Sequence, residues 1–338
     1  MEDRGAGLVV HEEMLAYLEQ HGIAVTEEVS VSIRQRRYLN REGHPIALSW
    51  AQQRMTSWGV LYRQLRKAFP DANYHQNEEL ISFDQSSDRV HVKFKSGKTI
   101  DADLLICADG AHSHARTILL PHVKPQYAGY VAWRGVLPER DAPHEVVDDL
   151  KDRFTFYEMP HSHILTYLIP GQDGSVAPGE RRLNWVWYLN RSAGRDLQEL
   201  LLDNRGKQRE FSLPKGFLKE EFIRWIHDRA EEMLPPVLRK EVLETRDPFV
   251  QPIFDVAVPK IAFGRICLLG DAGFVVRPHT AAGAYKASLA AIDLAESLYE
   301  FKGDVLSALK AWEPAQMRLG YTLERQGKIL GHRSQFEN

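Results

Sequence analysis

Two segments of this chain carry one pattern: a short apolar strand, an acidic residue beside a glycine at its C-terminal end, then a helix start. One is Asp103–Leu120 (DLLICADGAHSHARTILL), where Asp109-Gly110 precedes Ser113 and Arg116. The other is Gly264–Leu298 (GRICLLGDAGFVVRPHTAAGAYKASLAAIDLAESL), where the strand Ile266–Leu269 meets Gly270-Asp271 and a Gly/Ala-rich turn opens a long helix. Open α/β sheets bind ligands beyond the carboxyl ends of their strands, and two such ends can share one crevice. A carboxylate there accepts from sugar-type hydroxyls, and a helix N-terminus favours phosphate oxygens. Each unit alone also suits an ordinary turn that needs glycine for a positive φ. Two such units in one chain are harder to dismiss as turns and point to an α/β ligand-binding site.

Cys107-Ala108-Asp109-Gly110-Ala111-His112-Ser113-His114-Ala115-Arg116 resembles the motif G-A-D-G-x-x-S-x-V-R, and Gly270-Asp271-Ala272-Gly273-Phe274 through Pro278 to Gly283 resembles G-D-A-A-H-x-x-x-P-x-x-G-x-G. Both belong to the single-component flavoprotein aromatic hydroxylases, built on the para-hydroxybenzoate hydroxylase fold. Tyr127–Val136 (YAGYVAWRGV), Asn184–Asn190 (NWVWYLN) and Arg277–Ser288 (RPHTAAGAYKAS) carry the likeness further, and it extends over nearly the whole chain. The resemblance implies an FAD/NAD(P)-binding Rossmann-like domain interrupted by a β-sheet substrate-binding domain: residues 1–120, then 121–248, then a return over 249–338. It also implies a reaction in which NAD(P)H reduces FAD, O2 forms a flavin C4a-hydroperoxide, and oxygen passes to a small electron-rich aromatic such as a hydroxypyridine or phenol.

Site residues follow from the same resemblance. Asp271 matches the aspartate at the FAD ribityl and pyrophosphate region. Gly270, Ala272, Pro278, Ala281, Ala282 and Gly283 match positions around the flavin and its phosphates, and Gly5 and Gly7 match a loop near the isoalloxazine. Asp109 and Gly110 match the second motif, which serves the cofactor region and NAD(P)H use; Asp109 is equally readable as a helix cap. His279 is the candidate catalytic residue, an imidazole able to carry a phenolic proton near neutral pH, or else a loop histidine bonded to backbone. Arg134 could pair with an anionic substrate or with a neighbouring carboxylate. In Asn184–Asn190 either Trp185 and Trp187 or Val186 and Tyr188 face the pocket, alternation cannot choose, and both sets are equally readable as core; Trp187 and Tyr188 are the substrate candidates.

Departures are informative. No G-x-G-x-x-G occurs, and Gly5-Ala6-Gly7-Leu8 resembles the loop that follows the family's second strand, so roughly 40 residues of a first βαβ unit are absent. The chain is expected to be N-terminally truncated or a degraded relative, and a catalytically inactive truncated fragment or a flavin-free binding protein of the same fold is the alternative function. A flavin oxidase or epoxidase on the same scaffold is a third reading. Phe274 stands where the family often has His, Ala281 where it has Gly, and Trp58 where many members place arginine. Trp58 either stacks on a ring of the cofactor or packs.

The 338 residues allow one large core or two lobes, and the net charge of −3 gives no reason to expect nucleic acid or an anionic membrane as partner. No apolar run reaches the roughly 18 residues of a membrane span, and no secretory signal opens the chain. Cys107 and Cys267 lie in apolar runs and read as buried thiols in a cytoplasmic protein. His161 and His163 are too few for a metal site, so none is expected. The sequence leaves a homodimer open. Strands are expected at Val29–Tyr38, Ile46–Trp50, Leu80–Asp84, Val90–Phe94, Thr99–Ile106, Gln126–Leu137, Arg153–Met159, His163–Ile169, Leu183–Leu189 and Phe249–Val258, and helices at Glu12–His21, Gly59–Phe69 and Glu220–Met233.

Overall fold

A computed structural model of the chain describes residues 7–337. The strands in chain order are β1 (Gly7–Val10), β2 (Val31–Leu39), β3 (Pro45–Ser57), β4 (Leu80–Gln85), β5 (Val90–Phe94), β6 (Thr99–Ala102) and β7 (Leu105–Cys107). They continue as β8 (Gln126–Pro138), β9 (Arg153–Met159), β10 (Ser162–Ile169), β11 (Arg182–Asn190), β12 (Phe249–Ala257), β13 (Ala262–Phe263), β14 (Ile266–Leu268) and β15 (Phe274–Val275). The helices are α1 (Glu12–Gln20), α2 (Thr26–Val29), α3 (Trp58–Ala68), α4 (His114–Leu119), α5 (His144–Leu150), α6 (Arg195–Leu200), α7 (Glu220–Met233), α8 (Pro236–Leu243), α9 (Gly283–Glu300) and α10 (Val305–Phe336). The expected α/β class holds.

Two compact units emerge, one from residues up to Ala68 with Tyr127–Ile253 and the segment from His332, the other from Phe69–Gln126 with Phe254–Gly331. This cuts the chain differently from the expected segments 1–120, 121–248 and 249–338. The reason is strand pairing: β1, β2 and β3 join the sheet formed by the middle of the chain.

In the first unit that sheet runs β1-β3-β2-β9-β10-β11-β8-β12. β2 pairs parallel with β9, while β10, β11 and β8 pair antiparallel in succession. Period-two alternation along β11 separates Leu183, Trp185 and Trp187 from Asn184, Val186 and Tyr188. The tryptophan face is covered by α5, α7 and α8. Helix α7 suits this role because Phe222, Ile226, Ala230 and Met233 recur at three- and four-residue spacing, and Glu220 and Glu221 sit at its N-terminal dipole end. Trp133 stacks on Trp225 with ring centroids 5.5 Å apart. Trp185 lies across Gly135, where an added Cβ would come within 2.3 Å of the indole. Burying each such side chain removes roughly 150–250 Å² from water, so these tryptophans dominate the core's stability.

Two strand expectations change. β3 continues seven residues beyond Trp50 to Ser57, because its Arg54–Ser57 end pairs with β1. Its other end leaves Ile46, Leu48 and Trp50 at 68%, 58% and 74% exposure despite their apolarity. The run Thr99–Ile106 splits at Asp103-Leu104: β6 pairs antiparallel with β5, whereas β7 pairs parallel with β14 in another sheet.

Glu241 of α8 is wholly buried in the first unit's core. One carboxyl oxygen accepts from Thr166 Oγ1 at 2.7 Å, and the other has no hydrogen-bond partner. Burial pushes its pKa up to about 8 from an ordinary 4.5. The folded chain therefore holds this proton at pH values where the unfolded chain has released it. Glu241's stabilising share is complete below pH 4.5 and is lost as pH rises toward 8. Glu241→Gln cannot titrate. Between pH 5 and 8 wild type should lose on the order of several kcal/mol relative to that variant in denaturant melts; parallel curves for the two proteins would refute the assignment.

In the second unit β14 and β7 lie side by side and parallel, with Leu268 opposite Cys107. The two Asp/Gly turns thus leave the sheet at the same end, as two strands sharing one crevice require. β13 pairs with β14, and β4-β5-β6 form a separate antiparallel sheet whose last two strands turn through Gly97 at φ +90°. Among the described residues no helix is long and apolar enough to cross a membrane.

Candidate functional site

The Asp109 turn is built from the end of β7. Gly110 takes φ +81°, which lets the chain reverse into α4. Ser113 Oγ accepts from Arg116 N at 2.9 Å, and Asp109 Oδ2 accepts from Ala115 N at 3.0 Å. The capping reading of Asp109 is therefore realised, and its carboxylate is still exposed at the mouth of the turn.

Arg116 ties this turn to the second one. Its side chain is buried, with Nη1 donating to Asp271 O at 3.2 Å and Ala272 O at 3.0 Å, and Nη2 donating to Ala111 O at 2.6 Å. Burial pushes the guanidinium pKa down, opposed by the nearby Asp109 and Asp271 carboxylates. One planar fork thus satisfies three carbonyls from two loops.

Beyond β14 the chain makes a tight turn over Gly270–Ala272, with Gly270 at φ +64° and Ala272 fully buried. Asp271 projects outward, its side chain 47% exposed, and Oδ1 accepts from Lys286 Nζ at 2.9 Å. Phe274 is a packing residue: it meets Tyr321 edge-on and leaves no room for a Cβ at Gly320. Arg277 then makes a buried bidentate pair with Asp255, which anchors the Pro278–Thr280 turn. Ala281 sits in the left-handed region at φ +53°, ψ +18°, where an L side chain costs roughly 1–2 kcal/mol. His279 is half-buried in this turn.

Helix α9 starts at Gly283 with no side-chain cap and no acidic residue in its first turn, and a Cβ at Gly283 would meet open space. An 18-residue helix with a bare N-terminus beside an outward carboxylate fits an anionic ligand that also carries hydroxyls, as a dinucleotide does. Gly270, Asp271, Ala272, Pro278, His279, Ala281, Ala282 and Gly283 are thus gathered on one connected loop, with Asp109 and Gly110 on the neighbouring one.

The remaining candidates belong to the first unit. Gly7 donates its N–H to Asn184 Oδ1 at 2.9 Å and accepts from Arg134 Nη2 at 3.3 Å. A Cβ there would fall 2.7 Å from Asn184 and 2.8 Å from Tyr167, so glycine is a packing requirement. Gly5 lies outside the described residues. Arg134 Nη1 donates to Gln251 at 3.2 Å, and among the described residues no carboxylate pairs with it. Tyr188 shares the Arg134 face with Tyr130, Tyr167 and His163. Burial drives the Tyr188 phenol pKa up and that of Tyr167 up to about 12, while His163 falls to about 4. All three are neutral near pH 7.

Trp187 is on the opposite face. It is fully buried under the helices, and its Nε1 donates to Ser162 Oγ at 2.9 Å. Trp58 stacks on Tyr62 at 5.0 Å, one turn along α3, in keeping with packing. His161 lies in a turn at φ +59° and His163 in β10, and no metal-binding cluster occurs among the described residues. Sequence reasoning missed Lys286, Asn184 and the Arg277–Asp255 pair. A lysine in a helix otherwise lined by alanine was the available signal for the first; nothing local marks the others.

A family model described as FAD binding domain-like matches residues 127–255. The chain is 34% identical over 332 residues to 2,6-dihydroxypyridine 3-monooxygenase of Paenarthrobacter nicotinovorans, covering 98% of this chain and 82% of that one. The chain belongs to the single-component flavoprotein aromatic hydroxylases. A solved 2,6-dihydroxypyridine-3-hydroxylase from Arthrobacter nicotinovorans superposes on this flavoprotein with a TM-score of 0.93 at 33% identity, over 100% of this chain and 84% of that one. HpxO of Klebsiella pneumoniae, solved with FAD and uric acid, shares the fold at TM-score 0.79 and 18% identity, over 100% of this chain and 81% of that one. This flavoprotein is therefore an FAD-dependent monooxygenase that uses NAD(P)H and O2.

Proposed function

We propose that this flavoprotein hydroxylates a small electron-rich hydroxylated ring, a hydroxypyridine in the first instance and otherwise a phenol. When bound, FAD supplies the redox chemistry: electrons from NAD(P)H reach O2, one oxygen atom enters the ring, and the other leaves as water. The observation that carries the reading is the pair of parallel strand ends whose Asp/Gly turns are locked together by Arg116 beside the bare start of α9. In this reading Asp271 accepts from sugar hydroxyls, and the α9 N-terminus, with Gly283 leaving close approach open, binds phosphate. Gly270 and Ala272 shape the Asp271 turn, Pro278, Ala281 and Ala282 hold the next loop, and Asp109 and Gly110 serve the second motif. His279 carries the ring-hydroxyl proton. Arg134 and Tyr188 order the substrate, and Trp187 supports them from the other side of the sheet. The 34% identity to a dihydroxypyridine monooxygenase supports the substrate class. Cys107 and Cys267 are buried free thiols, which supports a reducing, cytoplasmic setting.

The test uses protein supplied with FAD. Incubated with NAD(P)H, oxygen-18 gas and 2,6-dihydroxypyridine, it should yield a ring product carrying one labelled oxygen atom. Labelled hydrogen peroxide without ring product would favour the oxidase reading. Folded protein that takes up no flavin would favour the flavin-free alternative.

A further inference from the structure

The Lys286–Asp271 pair is chemically out of place. Lys286 lies on α9 within one turn of its start, and its side chain is 5% exposed. Its ammonium reaches only back into the Asp271 turn, donating to Asp271 Oδ1 at 2.9 Å and to Phe274 O at 2.6 Å. A buried lysine on a helix's first turn opposes the helix dipole and carries a desolvation cost, so a helix has no reason of its own to place one there. Asp271, by contrast, keeps nearly half its side chain open. Arg116, whose guanidinium is already bonded to three carbonyls, stands nearby with Asp109 on its other side.

We infer that Lys286 is a positioning residue that neutralises Asp271, so that this carboxylate can accept hydroxyls beside an anionic pyrophosphate. The inference rests on the proposed cofactor role of Asp271. Once a ligand covers it, an unpaired Asp271 would face the negative phosphates in a medium far less screening than water. Paired with Lys286 it presents an acceptor oxygen without net charge. The bond to Phe274 O fixes the ammonium, so the orientation of the free oxygen is set before ligand arrives. Lys286 never touches the reacting ring; it acts through Asp271.

The prediction is a loss that a second substitution repairs. Lys286→Met should weaken FAD binding about 30-fold, because it strands a carboxylate among anions. Asp271→Asn combined with Lys286→Met removes that charge and keeps an acceptor oxygen, and should return the dissociation constant to within about 5-fold of wild type. Lys286→Arg should stay near wild type. Affinities are read by flavin fluorescence, with circular dichroism and melting temperature confirming the fold. If Lys286→Met precipitates, Lys286→Gln carries the same comparison. Unchanged affinity in the single variant overturns the inference, and so does a double variant as weak as the single one, which marks Lys286 as mere packing. Wild-type protein that binds no FAD overturns the cofactor reading itself and the inference with it.

Discussion

Gly135→Ala should be among the most destabilising single changes in this chain, at about 3–5 kcal/mol in denaturant unfolding. The new Cβ would stand 2.3 to 2.5 Å from three indole atoms of Trp185, well inside van der Waals contact. That ring is fully buried, and its Nε1 donates to Thr245 Oγ1 at 2.9 Å, so any shift that admits the methyl also breaks this bond. Trp187 and Trp133, in the same core cluster, are fully buried as well. Gly110→Ala is the contrast: its Cβ meets nothing within 4 Å, and only the φ of +81° penalises it, by roughly 1–2 kcal/mol. A Gly135→Ala protein within about 1 kcal/mol of wild type would mean that the tryptophan layer is looser than described.

Arg116→Ala should cost FAD affinity about 100-fold and stability about 3 kcal/mol. The arginine's three accepting carbonyls, on Ala111, Asp271 and Ala272, would each lose a donor. Both loops then lose the brace that keeps their turns in register, while Asp109 and Asp271 themselves stay in place. Lys at this position supplies one point charge and cannot span both loops, so it should recover less than half of the loss in free energy. Isothermal titration with FAD, set beside thermal melts, separates the two effects. Wild-type affinity in a measurably destabilised Arg116→Ala protein would show that the turns hold their shape without the brace.

The cofactor-side loops were legible in the sequence because their chemistry is local. A strand, an acidic residue with glycine and a helix start fall within twenty residues of one another at Asp109 and again at Asp271, and turn formation needs little from the rest of the chain. The β-rich middle was legible for the same reason: alternation within a strand is local. Which face of β11 is covered was not, since the covering helices α5, α7 and α8 lie on both sides of it in sequence and no periodicity names a partner. Ile46, Leu48 and Trp50 show the converse limit, apolar residues on a strand end that no element among the described residues covers. Lys286 stood out only as a lysine in an alanine-lined helix, where a lysine ordinarily reaches water, and only the fold of the Asp271 turn gives it its carboxylate and carbonyl acceptors.

The sheet face that carries Tyr188 acts as a silent electrode. His163 loses its proton only near pH 4, Tyr167 holds its own to about pH 12, and Tyr188 is pushed higher still. Arg134 is the one permanent charge among these four. Across the physiological range these buried side chains therefore keep an unchanging charge. In the proposed reaction, a bell-shaped or sigmoidal rate profile near neutrality would then report the acidity of the substrate's own hydroxyl or of the cofactor, and the same curve measured with a less acidic ring should move along the pH axis with that ring.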